Sequence, residues 1–497
     1  MRNIALISFL NHSINVRTLT AYARSAGYDV VCVFVLDTPN DMTAEVLIEF
    51  LKDKNIEMAG FSLVTDDYPS AVFLTEKIKQ SSDMLVIWGG AHVNVMPEES
   101  LNYADMICMG EGEDAFLELL QNFDGDLFSN TSIKNFWFKT KDGIVRNCLR
   151  PLEEDLDKYP FPENDRDSMY VLTNDGVEQF TEKHLHGVYN IMTSRGCPYQ
   201  CDYCYNSYRK KQYQGLGRYL RMRSIGNVIE ELMQALKLFP GLKYVQFWDD
   251  CFTARAVEEL RLFKKLYNNH IRLPFFALIE PMIFDPEKIK LLKECGLQRL
   301  QVGIQTGSER LNSEIFNRKA SNKKVLEMAK YINELGIEVV YDLIFNNPYE
   351  TIQDIKETIN LLLQFPRPLH IQGYSLIFYP GTRITERALE DGHISYNNDL
   401  HRSLTIQSKK NSPISMKGAA EISDRFYKIN YSSDNKLYWN SVVSSLASNH
   451  FPRALIRFFG RSDGPFKQRA FKAFIRYYAK AASLKHRKIF NYNKKLS

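Results

Sequence analysis

Ser194-Arg195-Gly196-Cys197-Pro198-Tyr199-Gln200-Cys201-Asp202-Tyr203-Cys204 is the stretch on which the reading of this chain turns. Its three cysteines stand at C-x3-C-x2-C, directly after Tyr189-Asn190-Ile191-Met192-Thr193, whose β-branched and aromatic residues predict a strand. Gly196 and Pro198 stop that strand and set a turn. Three thiolates on one short loop can converge on one metal centre without help from distant residues. A [4Fe-4S] cube takes four cysteines, so three leave one iron open to hold a substrate. A zinc knuckle would want a fourth Cys or His at short spacing, and the nearest downstream are Cys251 and His270. Eight cysteines in 497 residues, with no secretory signal, weigh against a disulfide loop.

Beyond the loop, short apolar runs alternate with long helical stretches, the pattern of a barrel-like parallel sheet with its site at the carboxyl ends of the strands. Tyr244–Trp248 ends in Asp249-Asp250-Cys251-Phe252, and Phe275–Ile279 follows. Arg299–Ile304 ends in Gln305-Thr306-Gly307-Ser308, Val339–Phe345 in Asn346-Asn347-Pro348-Tyr349-Glu350-Thr351, and Ile371–Phe378 in Tyr379-Pro380-Gly381-Thr382. With the strand before the cysteines this makes six βα units, a partial barrel over residues 187–390.

The cysteine spacing with Tyr203 before the last cysteine, Phe-x-Asp-Asp-x-Phe after the second strand, Gly-x-Gln-Thr-Gly-Ser at the fourth and Tyr-Pro-Gly-Thr after the sixth resemble the radical S-adenosylmethionine (SAM) superfamily. The resemblance implies that Cys197, Cys201 and Cys204 ligate a [4Fe-4S] cluster whose open iron binds the amino and carboxylate groups of SAM. Electron transfer into the sulfonium then yields methionine and a 5′-deoxyadenosyl radical, with a reductant such as flavodoxin or ferredoxin as partner. By position it sets Tyr203 beside the adenine, Asp249 or Asp250 on the SAM ammonium, Gln305 on a ribose hydroxyl and Ser308 near it. Many members carry Glu where Gln305 stands. On the residues alone, Asp249 and Asp250 would cap the next helix, and Cys251 would be a small buried apolar residue. Cys32, Cys108, Cys148 and Cys295 read as core cysteines.

Residues 1–125 carry a second strand–helix alternation. Ile4–Phe9, Val30–Leu36, Met58–Leu63 and Met84–Trp88 predict strands; Thr18–Ala26, Thr43–Lys52 and Ser70–Gln80 predict helices. This is a doubly wound, Rossmann-like α/β pattern, whose ligands sit beyond the carboxyl ends of the strands. Small residues stand at those ends: Ser62 through Thr65, Gly89-Gly90-Ala91-His92, and Gly110-Glu111-Gly112-Glu113. With Pro97-Glu98-Glu99 and Phe116-Leu117-Glu118-Leu119-Leu120, these phrases resemble the cobalamin-binding domain that precedes many radical SAM domains. The resemblance implies cobalamin held near Ser62, Thr65, Gly89, Gly90, His92, Gly110, Glu111 and Gly112. The Asp-x-His-x-x-Gly motif that brings a histidine to cobalt elsewhere is absent from the chain. A Rossmann-like lid without cofactor is the plain alternative, and a hydrogen-bonded loop histidine is the plain reading of His92.

Residues 126–186 read as an irregular, polar linker with a small hairpin at Phe136-Trp137-Phe138 and Lys141-Asp142-Gly143. Residues 391–497 read as a mainly helical extension. From His450 onward thirteen Lys and Arg face the single acid Asp463, so the tail carries +12 and residues 1–449 carry −8. The acidic body offers no electrostatic reason to expect nucleic acid. Residues 465–485 predict a helix with Phe471, Phe474, Ile475 and Tyr478 on one face and Arg469, Lys472, Arg476 and Lys480 opposite. Such a helix docks on its own protein or lies on an anionic membrane surface. No run is long and apolar enough to span a bilayer, which predicts a cytoplasmic protein with peripheral contact at the inner membrane face through the tail.

Together these features imply a cobalamin-dependent radical SAM enzyme that methylates, or rearranges by ring contraction or cyclisation, an unactivated carbon of a small-molecule or lipid precursor. Two alternatives stand beside it. A methylthiotransferase would need three further N-terminal cysteines in a second-cluster pattern, which Cys32, Cys108 and Cys148 do not form. An iron–sulfur or cobalamin sensing protein would hold the same cofactors without turnover.

Overall fold

A parallel strand covered on both faces is apolar at nearly every position, and Asp29–Val35 is buried at all but its first residue. In the computed structural model, which describes residues 3–122, 130–396 and 427–429, this strand (β2) pairs with β1 (Asn3–Ser8). On the other side of β1 lie β3 (Ile56–Ser62), β4 (Leu85–Gly89) and β5 (Met106–Cys108). The order β2-β1-β3-β4-β5 is parallel throughout and reverses direction between β1 and β3, the switch point at which doubly wound sheets take ligands. The expected helices appear at Ile14–Ser25, Asp41–Asp53 and Tyr68–Ser81. All three start earlier than expected, the second and third for local reasons: Asn40 accepts from the backbone N–H of Thr43 at 3.0 Å, and Pro69 occupies the first turn of the third. Trp88 anchors the core, stacked on Tyr103 at 5.7 Å.

The stretch expected to be a linker is largely part of this sheet. The hairpin β6 (Phe136–Thr140) and β7 (Gly143–Arg146) is present and extends the sheet antiparallel from β5. A second hairpin, β8 (Met169–Thr173) and β9 (Gly176–Gln179), which the polar reading missed, adds to β2. Both cover edges that would otherwise expose unpaired backbone groups. Their inward residues, such as Phe138 and Leu172, are few enough that composition alone looks irregular.

Two compact units emerge, and their limits redraw the expected domains. The first takes residues up to 196 together with 209–243; the second takes 197–208 and the chain from 244. The first unit thus includes β10 (Val188–Ile191), which runs into the cysteine loop, and β11 (Ser194–Arg195) paired antiparallel with β12 (Arg221–Met222). It also includes the helix Ile225–Leu238, capped by Ser224.

The second unit contributes five parallel strands in chain order: β13 (Tyr244–Phe247), β14 (Phe275–Ile279), β15 (Leu297–Gln305), β16 (Glu338–Phe345) and β17 (His370–Ser375). Each lies where its sequence run predicts it. A register shift at Gly303–Gln305 bulges β15 at its carboxyl end. After residue 390 the chain forms β18 (Ile394–Tyr396), antiparallel to β19 (Tyr427–Ile429); the rest of the extension expected to be mainly helical lies outside the described residues. The basic tail from His450 lies outside the described residues. Among the described residues no helix is long and apolar enough to cross a membrane.

Candidate functional site

In the second unit the three loop cysteines are free thiols, with Cys201 buried and Cys197 and Cys204 partly so. The Cys204 N–H donates to the Cys201 carbonyl at 3.0 Å, holding the turn between them. Burial pushes the Cys197 and Cys204 thiols up to about 12. Buried thiols of this kind ionise only against a compensating cationic centre. Among the described residues no three His, Cys, Asp or Glu side chains close on a single metal ion. A cube sets each thiolate on its own iron, so this donor set fits a cluster with one open position.

What holds the loop is Arg318, fully buried on the segment after β15. Its guanidinium donates to the Tyr203 hydroxyl at 2.8 Å, to Glu280 Oε2 at 2.8 Å and to the Gly303 carbonyl at 2.6 Å. Burial works against its charge, and Glu280 and the Tyr203 oxygen keep it protonated. Tyr203 also packs edge-on against Phe316 at 5.0 Å. The aromatic residue of the cysteine motif is therefore part of a clamp between the loop and the ends of β14 and β15. The Gln305 side-chain amide fills the space that a Cβ at Gly303 would take.

The remaining residues expected around SAM divide. Asp249 is buried and Asp250 opens outward, taking a hydrogen bond from the Asn206 side chain just past Cys204. Helix capping does not account for the pair. The turn Phe252–Ala254 starts at Cys251 with no side-chain cap, and the helix Val257–His270 is closed by Glu259 accepting from the Ala256 N–H at 3.1 Å. Gln305 stands half-buried at the bulge with φ of 61°, a left-handed conformation that costs a non-glycine residue energy and is stored at functional sites. Ser308 corrects the expectation. It is fully buried and its hydroxyl donates to Asp354 Oδ1 at 2.5 Å, so it supports the start of the next helix and does not face a ligand. Cys251 is buried, as expected.

In the first unit, Ser62 and Gly89 stand opposite one another at the carboxyl ends of β3 and β4. Gly90 has φ of 97°, and a Cβ on it would lie 2.6 Å from the Leu63 carbonyl oxygen. Its glycine is thus demanded by the neighbouring loop before any ligand is considered. Two nearby expectations are corrected. His92 is fully buried beneath the loop, with Nδ1 3.4 Å from the buried Thr65 hydroxyl and Nε2 3.9 Å from Glu99. Both side chains therefore brace the loop from within.

The phrase Gly110-Glu111-Gly112-Glu113 forms a latch within the first unit. The space beside Gly110 is filled by the Tyr213 hydroxyl, which also accepts from the Glu111 N–H at 3.0 Å. The Glu111 carboxylate is taken by Arg195 at 2.9 Å and by the buried Arg221, and Glu113 by Arg195 at 2.6 Å. Gly112 lies against Leu19 and Cys108. Motif glycines and acids carried no sign, in sequence, that their partners would come from within the chain.

What the strand ends do present is apolar. Leu10, Leu36 and Val64 follow β1, β2 and β3, which are adjacent, and are 54%, 40% and 39% exposed. Three exposed aliphatic side chains at one switch point form a shelf suited to the face of a large flat macrocycle. The donor set and the shelf fit a cluster and a corrin respectively.

Comparison with known proteins agrees. Residues 191–362 match the model of the radical SAM superfamily, and residues 3–120 match that of the B12 binding domain. The chain belongs to the radical SAM superfamily, in the branch with an N-terminal cobalamin-binding domain. An uncharacterised methyltransferase of Pyrococcus horikoshii is 27% identical over 361 residues, covering 70% of this chain and 73% of the relative. The bacteriochlorophyllide d C-8(2)-methyltransferase of Chlorobaculum tepidum is 23% identical over 442 residues, covering 84% and 87%. Among solved structures, the radical SAM methyltransferase TsrM from Kitasatospora setae superposes with a TM-score of 0.68 at 17% identity, over 97% of this chain and 100% of that one. This radical SAM protein is an enzyme, and its two family domains bring with them the [4Fe-4S] cluster, SAM and cobalamin.

Several site residues escaped the sequence. Glu280 could have been found, since it directly follows the run Phe275–Ile279 and polar residues at strand ends were the criterion used elsewhere. Arg318 could not, because nothing in Phe316-Asn317-Arg318-Lys319 marks a fully buried cation. Leu10, Leu36 and Val64 look like ordinary continuations of apolar strands.

Proposed function

We propose that this enzyme transfers a methyl group to an unactivated carbon of a small molecule, using SAM and cobalamin. The shelf of Leu10, Leu36 and Val64 at the switch point carries this reading, because a cofactor-free lid would have no use for exposed aliphatics there. The names of the relatives support methylation over rearrangement, since two of those compared are methyltransferases. When bound, the cluster and SAM supply hydrogen abstraction from carbon, and cobalamin supplies the methyl group.

The chain's own residues bind, orient and exclude water. Cys197, Cys201 and Cys204 hold the cluster, with Arg318 and Tyr203 keeping their loop in place. Asp250, with Asn206 beside it, is placed for the SAM ammonium, and Gln305 for a ribose hydroxyl. Ser62, Gly89 and Gly90 would shape the strand edge under a corrin, and the buried His92 would not serve as its ligand. A small reductant such as flavodoxin or ferredoxin supplies electrons, and we place the reaction in the cytoplasm. A basic tail near an anionic leaflet gains about 1 kcal/mol per Lys or Arg, which makes a lipid precursor the substrate class to test by liposome flotation.

The deciding experiment is anaerobic reconstitution with iron, sulfide and cobalamin, followed by SAM and dithionite. One cobalamin per chain with a spectrum lacking a protein histidine ligand, and formation of 5′-deoxyadenosine, are expected. Bound cofactors without SAM cleavage would favour the sensing protein. A cluster without cobalamin would return the first unit to a lid.

A further inference from the structure

The inner face of the five-stranded array in the second unit is polar where a closed barrel would be packed with bulky branched residues. On β15, Leu300, Val302 and Ile304 are buried while Gln301, Gly303 and Gln305 are half-buried. On β16, Val339, Tyr341 and Leu343 are buried while Val340 and Asp342 are half-buried. Alternation and register put Gln301, Gly303 and Asp342 on one face, and β17 brings Gln372 opposite Asp342 and Tyr374 one step further on.

Within this row Gln301 Nε2 donates to Asp342 Oδ2 at 2.7 Å and lies 3.4 Å from the Tyr374 hydroxyl. Asp342 Oδ1 is shut off from solvent and has no hydrogen-bond partner among the described residues. The nearby cation Arg318 is engaged by Glu280, and no salt bridge reaches Asp342 among the described residues. Burial, opposed by Gln301 and reinforced by Glu280, pushes the Asp342 carboxyl up to about 6. A desolvated carboxylate with an unused oxygen, an amide fixing its other oxygen and a phenol alongside is built to receive a cationic donor.

We propose that Asp342, with Gln301 and Tyr374, binds an ammonium group of the substrate. This names a substrate class, an amine, and rests on the reading of the second unit as the SAM-cleaving barrel. Asp250 remains the partner of SAM itself.

The test uses the reconstituted full-length enzyme with saturating SAM, unreduced, and two probes of matched shape, n-propylammonium and n-propanol, followed by ligand-observed NMR titration. Propylammonium binds the wild type, its Kd rises at least tenfold in Asp342→Asn, and it rises a fewfold in Tyr374→Phe, a variant that removes one hydroxyl without disturbing the fold. Propanol binds weakly and equally to all three. Equal affinity of propylammonium for wild type and both variants overturns the proposal, as does binding to wild type that is seen only when SAM is left out. Wild-type protein that fails to form 5′-deoxyadenosine in a parallel assay sinks the proposed function instead, whatever the probes do.

Discussion

Arg318 donates from Nη1 to the phenolic oxygen of Tyr203 at 2.8 Å, tying the residue before the last of the three loop cysteines to a strand-end carboxylate. The bond makes the cysteine loop one piece with β14 and β15. Arg318→Met leaves Glu280 buried without its cation, a loss of about 3–5 kcal/mol. Arg318→Lys keeps the charge but cannot fork to Tyr203, Glu280 and the Gly303 carbonyl together. The lysine variant is expected to fold, yet to retain less cluster on desalting; unchanged iron content per chain would show that the clamp is dispensable.

Cys201 is the most buried of the three loop cysteines. Cys201→Ala is expected to lose the iron–sulfur absorption and SAM cleavage together. Retention of both would mean that another residue completes the donor set.

Val64 and Leu10 are exposed, so charging them disturbs the shelf and leaves the core intact. Val64→Asp should lower cobalamin retention at least tenfold while iron and sulfide content stay at the wild-type level. By contrast, the collision of any Cβ at Gly90 with Leu63 makes Gly90→Leu a folding variant, unsuited to testing the cofactor. Cobalamin bound normally by Val64→Asp would place the corrin elsewhere.

Glu111 joins Arg195, two residues before Cys197, to the buried Arg221. Glu111→Gln leaves the buried Arg221 without a carboxylate, while Arg195 keeps Glu113, and is expected to destabilise the first unit by about 3 kcal/mol. Chemical denaturation reads this directly; a change below about 0.5 kcal/mol would mean solvent already screens the latch.

Asp354 offers a pH test. Burial alone would raise its carboxyl, but Arg310, Ser308 and Thr351 hold it down to about 2, against 3.8 for a free aspartate. A depressed folded-state value gives stability that is present above about pH 4 and lost as pH falls through 2, worth about 2 kcal/mol at neutral pH. Asp354→Asn should therefore lower the urea midpoint at pH 7, and the gap to wild type should shrink by roughly half at pH 3. A gap independent of pH would attribute the loss to packing.

The cysteine triplet, the parallel strands and the two-part organisation were legible because each depends on local pattern. A thiolate loop, an apolar run or a glycine turn is written in consecutive residues, and the strand positions followed within a few residues. Where each polar group points was not legible. Glu111, Thr65, His92 and Ser308 carry the chemistry of ligand contacts, yet they are spent on Arg195, on one another and on Asp354, each of these partnerships spanning 27 residues or more. Arg318 and Asp342 acquire their roles from burial alone: a guanidinium must find carboxylate and phenol once water is excluded, and a carboxyl with an unused oxygen becomes a site only when neighbouring strands close around it. Sequence determined which residues could ligate and which could form strands; the tertiary structure decided which polar groups were already satisfied, because that depends on distances between segments far apart in the chain.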